Sequence, residues 1–218
     1  MKKILCVGYR EWALNIYKKV AENYKGGDIR LIESFDDYRD SYVREYSPDF
    51  ILFYGWSWPV SENIVRDYRC IMLHPSKLPK FRGGSPIQNQ IIRGVKDSAI
   101  TLFIMNESMD SGNIVFQEQM SLDGTIDDIF NRMQDLGYKG TMQFLSHPID
   151  GIEQIEEEAT YCRRRTEDQS EITPKELKER SSEYIYNKIR MLQDPYPNAY
   201  IRTSDNKKIL IKSAKIEG

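Results

Sequence analysis

Two short stretches of this 218-residue chain put proton-exchanging side chains where an apolar run stops. In CIMLHPSKLPKFRGGSP (70–86), His74 follows four apolar residues and precedes a loop rich in Gly, Pro and Lys. In MNESMDSGNIVFQEQ (105–119), a polar stretch ends on Asp110, and Ser111–Gly112 then turn the chain. An imidazole and a carboxylate brought together from two strand ends can serve as a general acid–base pair. Taken singly, each has a plain structural reading, because a lone histidine is usually structural and D-S-G is an ordinary turn. The other histidine, His147, follows a long helical pattern, where it can satisfy terminal carbonyls.

Other chemistry is poorly represented. Gly8 ends the first apolar run, where a nucleotide-binding turn would lie, yet GYREWA has one glycine and no G-x-G-x-x-G. The turn can still present Tyr9, Arg10 and helix-end amides to a phosphate. GK[ST], H-E-x-x-H, C-x-x-C and G-x-S-x-G are all absent, and no metal site is expected.

The hydrophobic pattern shows what must position these groups. KILCVGY (3–9), DIRLIES (28–34), DFILFYG (49–55), CIMLH (70–74), SAITLFIM (98–105) and GNIVFQEQM (112–120) are runs of strand length. EWALNIYKKVAENY (11–24) spaces Trp12, Ile16, Val20 and Ala21 as an amphipathic helix, and SENIVRDY (61–68) opens on a serine suited to capping. SPIQNQIIRG (85–94) has Ser85, Pro86 and Gly94 as start and stop signals. TIDDIFNRMQDLGYKGTMQFLS (125–146) begins on Thr125 with two aspartates in its first turn. The Tyr- and Asp-rich stretch before residue 49 reads as a connection. Strands alternating with helices predict an α/β fold built on an open, mainly parallel twisted sheet. Ligands of such sheets bind beyond the carboxyl ends of the strands, which is where His74 should stand.

Residues 1–150 read as one catalytic core. Residues 151–218 read as a short extension packed on it, with a highly charged surface stretch, a helix at 181–193 and a hairpin around Ser204–Asn206. A net charge of −2 argues against a broad electrostatic footprint for nucleic acid. Three widely spaced cysteines suit reduced thiols rather than a disulfide framework. The N-terminal apolar stretch is too short for a secretory signal and no run approaches a membrane span, so a cytoplasmic protein is expected.

LHPSKLPKFRGGSPIQNQIIRG, followed by ITLFIMNESMDSGNIVFQEQ, resembles the formyltransferases that use 10-formyltetrahydrofolate. That family includes glycinamide ribonucleotide, methionyl-tRNA and sugar N-formyltransferases. The likeness covers roughly residues 1–150, and RRRTEDQSEI (163–172) with YIYNKIRMLQDPYPNAY (184–200) resembles the C-terminal region of the sugar and tRNA members. It implies a Rossmann-like core, 10-formyltetrahydrofolate as co-substrate, and attack by an amine on the formyl carbon. By this resemblance His74 donates to the developing oxyanion, and Asp110 orients it and helps remove the amine's proton. Trp56, Ser57, Trp58 and Val60 on one side and Ile104, Met105, Asn106, Glu107 and Met109 on the other are expected to line the folate. Tyr9, Arg10, Lys80, Arg82, Gly83 and Gln88 are the expected acceptor residues.

One position departs from the pattern. The family's asparagine two residues before the histidine is Met72 here, and a thioether cannot donate a hydrogen bond. Asn89, Gln88 or a backbone amide are the candidate replacements. The first choice of acceptor is a nucleotide-linked amino sugar for surface polysaccharide synthesis. The chain ends about 70 residues past position 150 and is acidic, unlike a tRNA enzyme, and its first turn lacks a Gly/Ser-rich phosphate loop. Formyl transfer to methionyl-tRNA or glycinamide ribonucleotide, deformylation of the folate by water, and folate binding without turnover stay open as alternatives. The reading carries no nucleic-acid or membrane partner and leaves a homodimer open.

Overall fold

A computed structural model describes residues 1–218. Chain order runs β1 (Lys2–Val7), α1 (Glu11–Asn23), β2 (Gly27–Ile32), α2 (Asp40–Tyr46), β3 (Phe50–Phe53), α3 (Glu62–Asp67) and β4 (Cys70–His74). It continues with β5 (Arg82–Gly83), α4 (Pro86–Ile92), β6 (Asp97–Ile104), β7 (Ile114–Ser121) and α5 (Ile126–Ser146). The last part holds β8 (Tyr161–Cys162), α6 (Pro174–Glu179), α7 (Ser182–Arg190), β9 (Ala199–Arg202) and β10 (Lys208–Ile211).

Six strands form one sheet in the order β2-β1-β3-β4-β6-β7. The first four pair in parallel; β6 and β7 are antiparallel additions. β3 is four consecutive buried apolar residues because helices cover both of its faces, whereas edge strand β2 alternates toward solvent. In α1, Ala13, Ile16, Tyr17 and Val20 recur at helical spacing and are buried in the core. Thr125 caps α5 as expected, its hydroxyl accepting from the Asp128 amide while the Asp128 carboxylate accepts from the Thr125 amide.

The two sheet faces carry separate buried clusters. Ile71 and Leu73 of β4 join the larger one with α1 and α5, while Cys70 and Met72 join the smaller one with Phe53 and Trp56. Ile172, Ile189, Met191, Leu192 and Ala199 sit in the larger cluster, so the C-terminal elements share the core of the sheet. The hairpin of β9 and β10 forms around Ser204–Asn206. The three cysteines are unpaired and buried, and burial pushes the Cys70 thiol up to about 12. No helix is long and apolar enough to cross a membrane.

Several expectations change. The polar connection before residue 49 contains α2, and the charged stretch after 150 contains β8 and α6. Ser61 does not cap α3; its hydroxyl donates to Asp40 at 2.6 Å. Gly8 is required by close backbone approach, since a Cβ there would lie 2.4 Å from the Tyr54 carbonyl oxygen. His147 ends α5 through its backbone amide, which donates to the Gln143 carbonyl.

Candidate functional site

His74 stands at the carboxyl end of β4, with its side chain 6% exposed. Its Nε2 lies 2.8 Å from the Phe81 carbonyl oxygen. A carbonyl only accepts, so Nε2 carries a proton and Nδ1 is the nitrogen left for proton exchange. Nδ1 faces Asp110 Oδ2 at 3.5 Å, and that carboxylate is 12% exposed. The same Oδ2 accepts from the Gly83 amide at 2.7 Å. A proton between Nδ1 and Oδ2 therefore lies within reach of either group.

The route by which Asp110 arrives differs from two neighbouring strand tips. β6 runs against β4, pairing His74 with Thr101 and Ile71 with Ile104, so the carboxyl end of β6 lies away from His74. Residues 105–112 fold back to close that gap. The Met105 amide donates to the Cys70 carbonyl, and the Asn106 side-chain Oδ1 accepts from the Ser108 amide and the Ser111 hydroxyl. Gly112 presses against the Ile104 carbonyl, where a Cβ would sit 1.7 Å from the oxygen. Asp110 itself takes φ +52°, a left-handed conformation that non-glycine residues resist.

Phe81, Gly83 and the rest of the loop after β4 are held by a strap that sequence reasoning read as charged surface. β8 pairs in parallel with β5. Thr160 accepts from the Arg82 amide through its carbonyl and from the Phe81 amide through its hydroxyl. The Gly84 amide donates to the Cys162 carbonyl, the Asn89 side chain donates to the Arg163 carbonyl, and Ser85 Oγ accepts from the Arg165 amide rather than capping α4. The crossing is tight enough to explain both glycines. Gly83 has φ +95°, and a Cβ on Gly84 would lie 2.5 Å from the Arg164 Cα.

His74 and Asp110 border a cleft of about 970 Å³. Its lining includes Trp56, Ser57, Trp58 and Val60, together with Met105, Asn106, Glu107 and Met109. Trp56 Nε1 is buried and has no partner in the protein. Met72 lies in this lobe, on the same side of β4 as His74. Across the sheet edge the cleft extends to Trp12, Leu73, Ile87, Gln88 and Met133, residues on or against the larger core. Arg10, Gly83 and Tyr196 also line it.

Four expected residues are not in the cleft wall. Ile104 packs toward the larger core. The Tyr9 hydroxyl pairs with Ser57 at 2.8 Å, and its ring lies against Trp56 and Trp58. Lys80 is exposed outside the cleft. Arg82 is fully buried, and its guanidinium donates to Gln154, Glu156 and Tyr161, so no donor is directed at a substrate. Burial acts to lower the Arg82 pKa, but the Glu156 and Tyr161 bonds outweigh it and hold the group charged, while Arg82 holds Glu156 below the usual carboxylate range. Arg163 and Arg164 were missed and do line the cleft, exposed and without ion pairs. The three consecutive arginines were visible in the sequence, but nothing local said that a two-residue strand would carry them there.

An open α/β sheet with a cleft across its edge, and an imidazole beside a carboxylate in that cleft, defines an α/β fold with a candidate acid–base site. Comparison with known proteins narrows it: the family model described as formyl transferase matches residues 4–145. The chain belongs to that family. It is 34% identical over 183 residues to the methionyl-tRNA formyltransferase of Clostridium acetobutylicum, covering 80% of this chain and 57% of that protein. The Syntrophomonas wolfei methionyl-tRNA formyltransferase is 29% identical over 197 residues, 84% of this chain and 60% of that protein. The chain thus spans little more than half the length of such curated relatives. Among solved structures, the methionyl-tRNA formyltransferase from Clostridium thermocellum superposes with a TM-score of 0.84 at 30% identity, covering 97% of each chain. A sugar N-formyltransferase from Shewanella shares the fold, with a TM-score of 0.77 at 18% identity and complete coverage of both chains.

Proposed function

We propose that this protein transfers a formyl group from 10-formyltetrahydrofolate to the amine of a nucleotide-linked amino sugar. The observation that carries the reading is the His74–Asp110 pair, with Nδ1 facing Oδ2 at 3.5 Å inside the cleft. Bound in the Trp56–Val60 lobe, the folate supplies a formyl carbon open to attack by an amine. The lobe suits such a ligand: its tryptophans offer flat apolar surface, and the unpartnered Trp56 Nε1 is a buried donor that a heterocycle can satisfy.

The protein's own groups have separable tasks. Phe81 O keeps the Nε2 proton in place and fixes the ring plane. Nδ1 and Asp110 together accept a proton from the incoming amine and return one where negative charge develops. The Gly83 amide keeps the carboxylate turned toward the ring.

The electrostatics of the acceptor side favour a compact anionic substrate. Arg10, Arg163 and Arg164 bring three cations to the cleft wall, a match for a diphosphate. The chain leading into the strap carries exposed Glu153, Glu157 and Glu158, which repel the extended phosphate backbone of a nucleic acid. Methionyl-tRNA is the second reading, favoured by the relatives at 29–34% identity. Assays of tetrahydrofolate release with amino sugars linked to UDP or dTDP, and separately with methionyl-tRNA, test the assignment. Turnover with a nucleotide sugar supports the first reading, and turnover with methionyl-tRNA alone replaces it.

A further inference from the structure

Gln154 lies between α5 and β8, beyond the residues that the family model matches. Its amide uses both ends. Oε1 accepts from Arg82 Nε at 3.2 Å and Nη2 at 3.0 Å, and Nε2 donates to the carbonyl oxygens of Asp110 at 2.9 Å and Gly112 at 2.8 Å. Those four contacts exhaust what a carboxamide can make.

The contacts close a ring around the carboxylate. Arg82 is fully buried and precedes Gly83, whose amide donates to Asp110 Oδ2 at 2.7 Å. Gln154 joins Arg82 to the backbone of Asp110 itself. The residue so held has φ +52°, and backbone in that region persists only where its surroundings impose it. Asp110 is thus tied twice, at its side-chain Oδ2 by the Gly83 amide and at its backbone carbonyl by Gln154.

We propose that Gln154 is a positioning residue: it holds Asp110 in its left-handed conformation and so sets the distance between that carboxylate and His74 Nδ1. The proposal rests on the formyl-transfer reading for its kinetic consequence but not for its geometry. Gln154→Glu separates the two ends, because a carboxylate still accepts from Arg82 and can no longer donate to Asp110 and Gly112.

In the full chain, Gln154→Glu should lower kcat roughly 10–100-fold, the usual cost of a catalytic group displaced by about an ångström. KM for 10-formyltetrahydrofolate should stay within about twofold, and the pH profile of kcat/KM should change if the displaced carboxylate takes part in the proton transfer. Gln154→Ala should give the same kinetic loss with a lower Tm, since Arg82 then lacks an acceptor. Unchanged kcat and pH profile in both variants, or a lower Tm without kinetic change, would overturn the proposal. A second readout needs no turnover. The chain has two histidines, so the imidazole NMR signals of His74 can be assigned with a His147→Gln variant. Gln154→Ala, which adds no charge, should move those signals, and unmoved signals overturn the proposal even if the wild-type protein transfers no formyl group. Wild-type protein without amine-dependent turnover but with moved signals in the variant supports the positioning role and refutes the transfer reading.

Discussion

The Nε2 of His74 lies 2.8 Å from the carbonyl oxygen of Phe81, and this bond decides which ring nitrogen can exchange a proton. Phe81 is placed in turn by the Thr160 hydroxyl, which accepts from its amide at 2.8 Å. The tautomer at the candidate site is therefore set from the strap, more than eighty residues along the chain.

His74→Gln tests the role of Nδ1 with little change of shape. A glutamine amide can donate to Phe81 O but cannot take up a proton. Turnover should fall by about 10²–10⁴, the range for losing a positioned acid–base group, while Tm stays near the wild-type value. Asp110→Asn should behave similarly. Kinetics paired with thermal unfolding check both.

Met72→Asn places an amide on the side of β4 that carries His74. Asn89 does not supply that donor, because its side-chain amide donates to the Gly84, Ser85 and Arg163 carbonyls. Gln88 lines the cleft from α4, and its buried Nε2 has no partner in the protein, so it is the candidate that stays open. The expected result is a rise in kcat, up to about 10²-fold if the new donor reaches developing negative charge. Single-turnover rates measure it, and a fall would mean that the thioether is part of the pocket's working shape.

Gly112→Ala should be strongly destabilising, because its Cβ would meet a backbone oxygen that cannot swing aside. Overpacking of this kind costs about 1–3 kcal/mol or more, which is roughly 2–12 °C of Tm for a chain of this size. At Gly94 a Cβ meets nothing within 4 Å, although φ is +75°. There the alanine variant should lose only the conformational term, about 1–2 kcal/mol. Differential scanning calorimetry compares the two.

Acid should weaken the junction between α6 and α7. Burial acts to raise the Glu176 pKa, yet its bonds to Lys188 and the Thr173 amide outweigh that and leave it below the ordinary carboxylate value. A carboxyl depressed in the folded state contributes stability above its unfolded pKa of about 4.3 and loses it as pH falls through the lower folded value. The Tm difference between wild type and Glu176→Gln should be largest near neutrality, begin to shrink as pH falls below about 4.3, and close only once the carboxyl is protonated in the folded state. A gap independent of pH would contradict the assignment.

Strands and helices with strong periodicity were readable from the sequence: β1, β3 and β4 are runs with both faces buried, and α1 and α5 show their stripes and, at Thr125, a cap. Met105 to Met109 lie within a motif that resembles a known family, and Trp56 to Val60 within the wider span of that likeness; both segments border the cleft. The antiparallel direction of β6 was not legible, since an apolar run carries no direction. Nor was the strap. Tyr161–Cys162 is too short for periodicity, and its reason for being a strand is Arg82–Gly83, about eighty residues earlier. The same contact explains the misassigned Arg82: a charged residue in a glycine-rich loop reads as available until its buried partners are known.

The most direct measurement follows tetrahydrofolate release from 10-formyltetrahydrofolate, with and without a nucleotide-linked amino sugar, in wild type and His74→Gln. A coupled His74–Asp110 pair predicts release that requires both the amine and the imidazole. Equal release without amine, or undiminished release by the glutamine variant, would contradict it.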